Sequence, residues 1–437
     1  MASEFCPIRW NAKGFPAEGE YWQLGKHGSM GKDRSNHHAL AEVLSKAIGH
    51  QPWSWPKKPI LFISDPHADA DAFVGSLHAS GGIKKTGLNL LDFKLSKAGK
   101  DATFIIGGDC LDKGPSNLDL LRSIRALKDI GANIKLLAGN HDVRLLVGLR
   151  SMDLVPDPRT EHFFVRMGPK VIPLFKEVFE EYFADGKLPK NTPSLSECRR
   201  KLYPRESWFV HFAKEAAWLM PDEAIERELI RIRKKVDDFE HACEKSGMTL
   251  RDIYAAAIKC KALFLKPSGE FSWFFKDMQL AYKAGSFLFI HAGLDDRIAT
   301  LISEESVAHL NKLYRYQIQH DLFEFYYGAL ANTMRTKYRD VDMPLSQHGV
   351  ETAYNSGIHA IVHGHRNRHE GQRIMLRQGM IHFEGDITLD RHSRKKEGLS
   401  GIGHGVTVIH PKGQVIGLSN DYPCAKVFEP AHYLGSQ

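Results

Sequence analysis

The 437-residue chain has few cysteines, and they are not arranged for cysteine chemistry. Cys6, Cys110, Cys198, Cys243, Cys260 and Cys424 are scattered, without a C-x-x-C pair. That excludes a zinc knuckle and a disulfide-stapled scaffold, and reduced core thiols of this kind point to the cytoplasm. Long apolar runs are missing too: none reaches the roughly 18 residues of a membrane span. Met1 to Trp10 lack a basic stretch followed by an apolar core, so no secretory signal is expected. No internal repeat or low-complexity tract is present. A strong charge of one sign is also absent: 59 Lys and Arg stand against 52 Asp and Glu, a net +7. This mild excess admits an anionic substrate without calling for nucleic acid.

What is present changes along the chain. Residues 1–58 read as an N-terminal arm, with Trp10, Trp22, Trp53 and Trp55 spread out and a helical pattern only over His38–Ile48. From Pro59 onward, short apolar runs alternate with helical segments. The runs are Ile60–Ser64, Thr103–Gly107, Ile134–Ala138, Phe287–Ile290 and Ala360–Val362. Pro115–Asp129 reads as a helix, with Pro115 at its first position and Leu120, Leu121, Ile124 and Leu127 on one face. Such alternation predicts an α/β layered core over 59–149 and 284–437. Residues 150–283 lack clear strands and read as a helical insertion. Ile225, Leu229, Ile232, Val236 and Phe239 form a heptad-like seam there, with charged residues between them suggesting a solvated opposite face. After His365 the pattern turns strand-rich, over 379–389 and 405–418, with a turn at Pro411–Gln414. The basic group Arg391, Arg394, Lys395 and Lys396 reads as a solvated loop.

Each of the five apolar runs ends in a polar, mostly glycine-rich cluster. The clusters are Asp65-Pro66-His67, Gly108 to Gly114, Gly139-Asn140-His141-Asp142, His291-Ala292-Gly293 and His363-Gly364-His365. In open α/β folds sites form beyond the carboxyl ends of strands, so five such clusters converge on one edge. A mixed Asp, His and Asn donor set without thiolate suits Mn²⁺, then Fe or Zn²⁺, better than Ca²⁺. The number of candidate ligands exceeds what one open catalytic metal takes. Two metals sharing a carboxylate fit the count. Strand alternation turns His363 away from His365.

In this order, D-x-H, G-D-x-x-D-[RK]-G, G-N-H-[DE], H-[AG]-G and G-H resemble the motif set of calcineurin-like metallophosphoesterases. Within that superfamily the chain is similar to the phosphoprotein phosphatase and diadenosine-tetraphosphate hydrolase branch. The resemblance implies an α/β sandwich of central mixed sheets flanked by helices, here with a helical insertion. It implies that Asp65 and His67 bind one metal, that Asn140, His291 and His365 bind a second, and that Asp109 bridges the two. A hydroxide between the metals would be the nucleophile. His141 would be the general acid and Asp112 would orient it. Lys113, Arg144 and Arg366 are candidates for gripping phosphate.

Four departures qualify the match. Lys113 stands where phosphoprotein phosphatases carry Arg, giving a point charge rather than a fork. Asp142 replaces a common Glu, and Asn367 stands where many relatives have a second His. Ala68 stands where a glycine commonly follows the D-x-H histidine. Asp112 and Asn367 lean toward a protein phosphatase acting on phosphorylated Ser, Thr or Tyr. Gly139–Leu146 and His291–Leu294 lean toward a hydrolase of dinucleoside polyphosphates or other nucleotides. A non-catalytic binding module of the same fold is a third reading.

Overall fold

A computed structural model describes residues 5–23, 40–183 and 187–435. Much of the expected arm, residues 1–4 and 24–39, lies outside the described residues, and so does the start of the helix expected over His38–Ile48. The rest of that helix runs from Leu40 to His50.

The motif-bearing apolar runs are strands because each alternates between two buried faces. Ile60 and Phe62 pack into a core between two sheets, while Leu61 and Ile63 face the helices outside. The larger sheet has nine strands. In spatial order they are Phe5–Cys6, Gly19–Tyr21, Ala425–Phe428, Gln414–Ser419, Gly405–His410, Ile60–Ile63, Thr103–Ile106, Asn133–Leu137 and Met278–Gln279. The smaller has five: Arg373–Arg377, Met380–Glu384, Ala360–His363, Phe287–Ile290 and Ala281–Ala284. Ile60–Ile63, Thr103–Ile106 and Asn133–Leu137 run parallel, as do Phe287–Ile290 and Ala360–His363. Both sheets are mixed, with helices on their outer faces, as expected.

Several elements differ from the sequence reading. Phe5–Cys6 and Gly19–Tyr21 extend the large sheet along Ala425–Phe428, so this part of the arm is sheet. Met278–Gln279 and Ala281–Ala284 are strands inside the segment read as helical. Ser116 caps the helix Asn117–Asp129, which leaves Pro115 just outside it. Arg391–Lys396 is a short helix rather than a solvated loop. Arg391 pairs with Asp69 at 2.8 Å, and buried Arg394 pairs with Asp421 at 2.7 Å. The turn at Pro411–Gln414 does join two antiparallel strands, with His410 opposite Gln414.

The segment read as an insertion is helical from Phe163 to Asp277 where described. Its longest helix, Asp222–Ser246, buries Ile225, Ile232 and Phe239. Glu228, assigned to the solvated face, is buried too. Arg166 pairs with it at 2.5 Å, Arg231 at 2.7 Å, and the Tyr327 hydroxyl donates to it at 3.0 Å.

Candidate metal centre

The five strand ends meet where the carboxyl edges of the two sheets adjoin. Two cross-sheet bonds hold them in register: His291 Nδ1 lies 2.7 Å from the Gly107 carbonyl, and the His365 N–H donates to Asp65 Oδ2 at 3.0 Å. The turns are tight enough to force unusual backbone. Asp65, His67, Ala68, Asp109, Asp112, Lys113 and His365 all adopt left-handed φ between 42° and 72°. Such conformations cost about 1 kcal/mol or more each and persist where packing over-determines them. At Gly139 a side chain is excluded by contact: a Cβ would stand 2.0 Å from the Asp109 nitrogen.

Two clusters share Asp109. In one, ligand atoms of Asp65, His67 and Asp109 lie within 4.8 Å of one another; in the other, those of Asp109, His291 and His365 do. His291 Nε2 is 3.4 Å from Asp109 Oδ1, and His67 Nε2 is 3.9 Å from Asp109 Oδ2. Asn140 closes the second cluster. Its amide oxygen sits 3.3 Å from His291 Nε2 and faces Asp109 and His365 Nδ1, which are acceptors unless protonated. Turned over, the amide would donate to both and accept from Arg144 Nη2 at 3.3 Å. The oxygen-inward orientation is the one a cation among these residues requires. Buried His365 Nε2 has no protein partner, which also leaves it available as a ligand. These residues therefore fit a pair of divalent metals held by oxygen and imidazole.

The electrostatics also favour added positive charge. Burial pushes the Asp65 carboxyl up to about 6, against the pull of His291. Burial would raise Asp109 too, but His291, His141 and His67 hold it well below the carboxylate range. His291 moves the other way: burial opposes its charge, yet Asp109 and then Asp65 raise it to about 10.

Beside the clusters, His141 Nδ1 lies 2.8 Å from Asp112 Oδ2, and its Nε2 is 3.9 Å from Asp109 Oδ2. Burial lowers His141 well below the usual imidazole range and raises Asp112 to about 7. Lys113 Nζ is 2.7 Å from His67 Nε2. Arg366, next to His365, is buried. Its guanidinium lies over the Tyr338 ring at 5.4 Å and reaches Glu384 at 3.9 Å. His363 is fully buried in its strand, 4.0 Å from Glu384.

Sequence reasoning missed three positioning residues. Asp142 accepts from the Cys110 and Leu111 nitrogens at 2.9 and 3.1 Å and from Gly139 N at 3.2 Å, tying the second motif to the third. Its place at the third position of the helix Asn140–Ser151 is a capping-box spacing that could have revealed it. Ser64 donates to Asp65 at 2.5 Å. Glu177, from the insertion, accepts from Asn117 Nδ2 at 3.2 Å, and Asn117 Oδ1 accepts from Asp112 N at 2.9 Å. Nothing local in the sequence marks that relay.

Residues 58–228 match a family described as calcineurin-like phosphoesterase, and the match takes in the first three motifs. This stretch belongs to that family. Its members depend on two metal ions, in keeping with the shared Asp109. No curated protein matches the chain. Among solved structures, the chain is similar to a cold-active protein tyrosine phosphatase at 14% identity and TM-score 0.45, over 98% of each chain. A cold-active protein-tyrosine phosphatase of a psychrophilic Shewanella species gives 13% and 0.40, over 94% of this chain and 91% of that one. A serine/threonine phosphatase of Saccharomyces cerevisiae gives 14% and 0.39, over 89% of both. Among the described residues, no helix is long and apolar enough to cross a membrane.

Proposed function

We propose that this phosphoesterase hydrolyses phosphomonoesters as a protein phosphatase for phosphorylated Ser, Thr or Tyr. The observation that carries the reading is the array Asp112–His141–Asp109. Asp112 fixes the imidazole through Nδ1, so Nε2 is the atom turned toward the clusters. With the Asp112 carboxyl, raised to about 7, donating its proton to Nδ1, the neutral imidazole keeps its own proton on Nε2 and can give it to a leaving oxygen, as an ester of an alcohol or phenol requires. A polyphosphate leaving group is a weaker base and needs that proton less.

Asp65 and His67 would hold one ion, Asn140, His291 and His365 the other, and Asp109 both. Manganese fits this donor set, and Fe or Zn²⁺ are admissible. Bound there, the ions would supply Lewis-acid activation of water and neutralise phosphoryl oxygens. Lys113, whose Nζ lies 2.7 Å from His67 Nε2, and Arg144 would bind those oxygens. The six cysteines are all free, which suits the reducing cytoplasm.

The test is turnover by Mn²⁺-loaded protein on phosphotyrosine and phosphoserine peptides and diadenosine tetraphosphate, beside His141→Ala. Preference for a phosphopeptide, lost in the variant, supports the reading. Preference for the dinucleotide replaces it with the nucleotide-hydrolase reading, and no turnover by wild type leaves the binding-module reading.

A further inference from the structure

The large sheet ends in a strand too short to cover its neighbour. Met278–Gln279 pairs with Leu136 and Leu137, while Asn133, Ile134 and Lys135 of the same strand have no strand on that side. The Ala138 N–H donates to the Gln279 carbonyl at 3.0 Å. Backbone groups alternate in direction along a strand, so Leu136 and Ile134 turn their N–H and C=O to the same side as Ala138. Leu136 meets Met278–Gln279 there. The Ile134 N–H and C=O have no partner on that side among the described residues.

A cleft of about 440 Å³ opens along this edge. Lys135 lines it from the strand, Lys128 from the helix Asn117–Asp129, Lys276 from Ser272–Asp277 and Arg315 from Val307–His320. Against these four cations the lining holds one acid, Asp277, which pairs with Lys128. Lys135, Lys276 and Arg315 have no carboxylate partner among the described residues, and Lys276 and Arg315 are exposed. Two of the cations are held over rings: Lys128 Nζ is 5.7 Å from the centre of Trp273, and Lys135 Nζ is 5.4 Å from that of Tyr282. Two further lining residues carry buried donors without a partner, Trp273 Nε1 and Gln279 Nε2. Lysines on a free edge keep copies of one chain apart, because both carry the same charge. A strand of opposite charge escapes that repulsion.

We propose that this cleft docks an acidic peptide segment of a partner protein, which adds to the sheet as an extended strand beside Asn133–Lys135. Ile134 would supply the backbone pairing, and the cations would meet carboxylates on the added strand. A polynucleotide would meet the cations too, but it makes no use of a strand edge. The carboxyl end of the same strand leads into Asn140 and His141, so the docked segment and the metal centre occupy opposite ends of it. The inference does not depend on which ester the centre hydrolyses.

The experiment titrates the full-length protein with a fluorescein-labelled octapeptide of alternating Asp and Val, read by anisotropy. The controls are the same peptide N-methylated at every residue, which removes its backbone donors, a Lys-Val counterpart, and an oligothymidylate of equal charge. The acidic peptide should bind with a Kd below about 1 mM and about tenfold more tightly than each control. Lys135→Glu with Lys276→Glu should weaken it about tenfold, and Lys135→Arg with Lys276→Arg should preserve it. Hydrogen exchange at the Ile134 amide of the wild type should slow when the peptide binds. That readout needs no variant, so it decides the matter even if the glutamate pair unfolds the protein. Four results overturn the proposal: no binding by about 1 mM, equal binding of the N-methylated peptide or the oligothymidylate, affinity that survives the charge reversal, or unchanged exchange at Ile134.

Discussion

At the residue scale, the centre works by giving each polar side chain one job and one orientation. His141 has its Nδ1 committed to Asp112, so only Nε2 faces the reacting region. His141→Ala should therefore lower kcat by roughly 10²–10⁴. The loss should be larger for a phosphoserine peptide than for p-nitrophenyl phosphate, whose phenolate leaves without a proton. An equal loss on both substrates would argue that His141 binds rather than protonates. These residues were legible in the sequence because glycines, Asp and His cluster at the ends of apolar runs, a pattern that packing alone does not explain. Adjacency to His365 did not reveal that the Arg366 guanidinium would lie over the Tyr338 ring, within 3.9 Å of Glu384.

At the scale of elements, turns and caps decide how well the centre is held. Ala68 occupies left-handed backbone, φ 53°, where relatives commonly have glycine, and its nitrogen donates to the Cys110 carbonyl at 2.7 Å. Ala68→Gly should relieve that strain and stabilise the fold by about 1 kcal/mol, read as a higher Tm. A lower Tm would mean that the Cβ packs usefully. Glu177 caps the helix Asn117–Asp129 through the nitrogens of Asn117 and Leu118 and steadies the Asp112 loop through Asn117. Glu177→Ala should lower kcat by about tenfold with little change in KM, as losing an outer support does. A KM effect alone would place Glu177 in substrate binding instead. The sequence showed the five strands but not these supports, because caps across 60 residues leave no periodic trace. It also missed helices such as Val307–His320, between the fourth and fifth motifs.

At the scale of the whole molecule, a buried polar network joins the insertion to the core. His162 Nε2 lies 2.7 Å from the Tyr327 hydroxyl, which donates to Glu228, which pairs with Arg166. Burial pushes His162 down to about 3. Burial opposes charge on Glu228 as well, but Arg166, then His162 and Arg231, lower it to about 2. Both shifts act in one direction. As pH falls below 6.5 the unfolded chain protonates His162 while the folded one does not. Below 4.5 the same holds for Glu228, so the unfolded state binds more protons and stability falls. The Tm should drop steadily from pH 6.5 toward 3, and His162→Gln should flatten the upper part of that slope. A Tm independent of pH across that range would show that the network does not anchor the insertion. The α/β core and the existence of a helical segment were legible from periodicity. The docking of that segment was not, because Glu228 looks like any exposed acid on a charged helix face.

The account's central claim is that Asp109 is shared by two metal ions. Metal content of the purified full-length chain, measured by mass spectrometry after loading with Mn²⁺ and removal of free ion, tests it most directly. Wild type should hold about two ions per chain, and Asp109→Asn, which removes the charge from the shared ligand, should retain almost none. Asp109→Asn protein that keeps the wild-type metal content would contradict the claim.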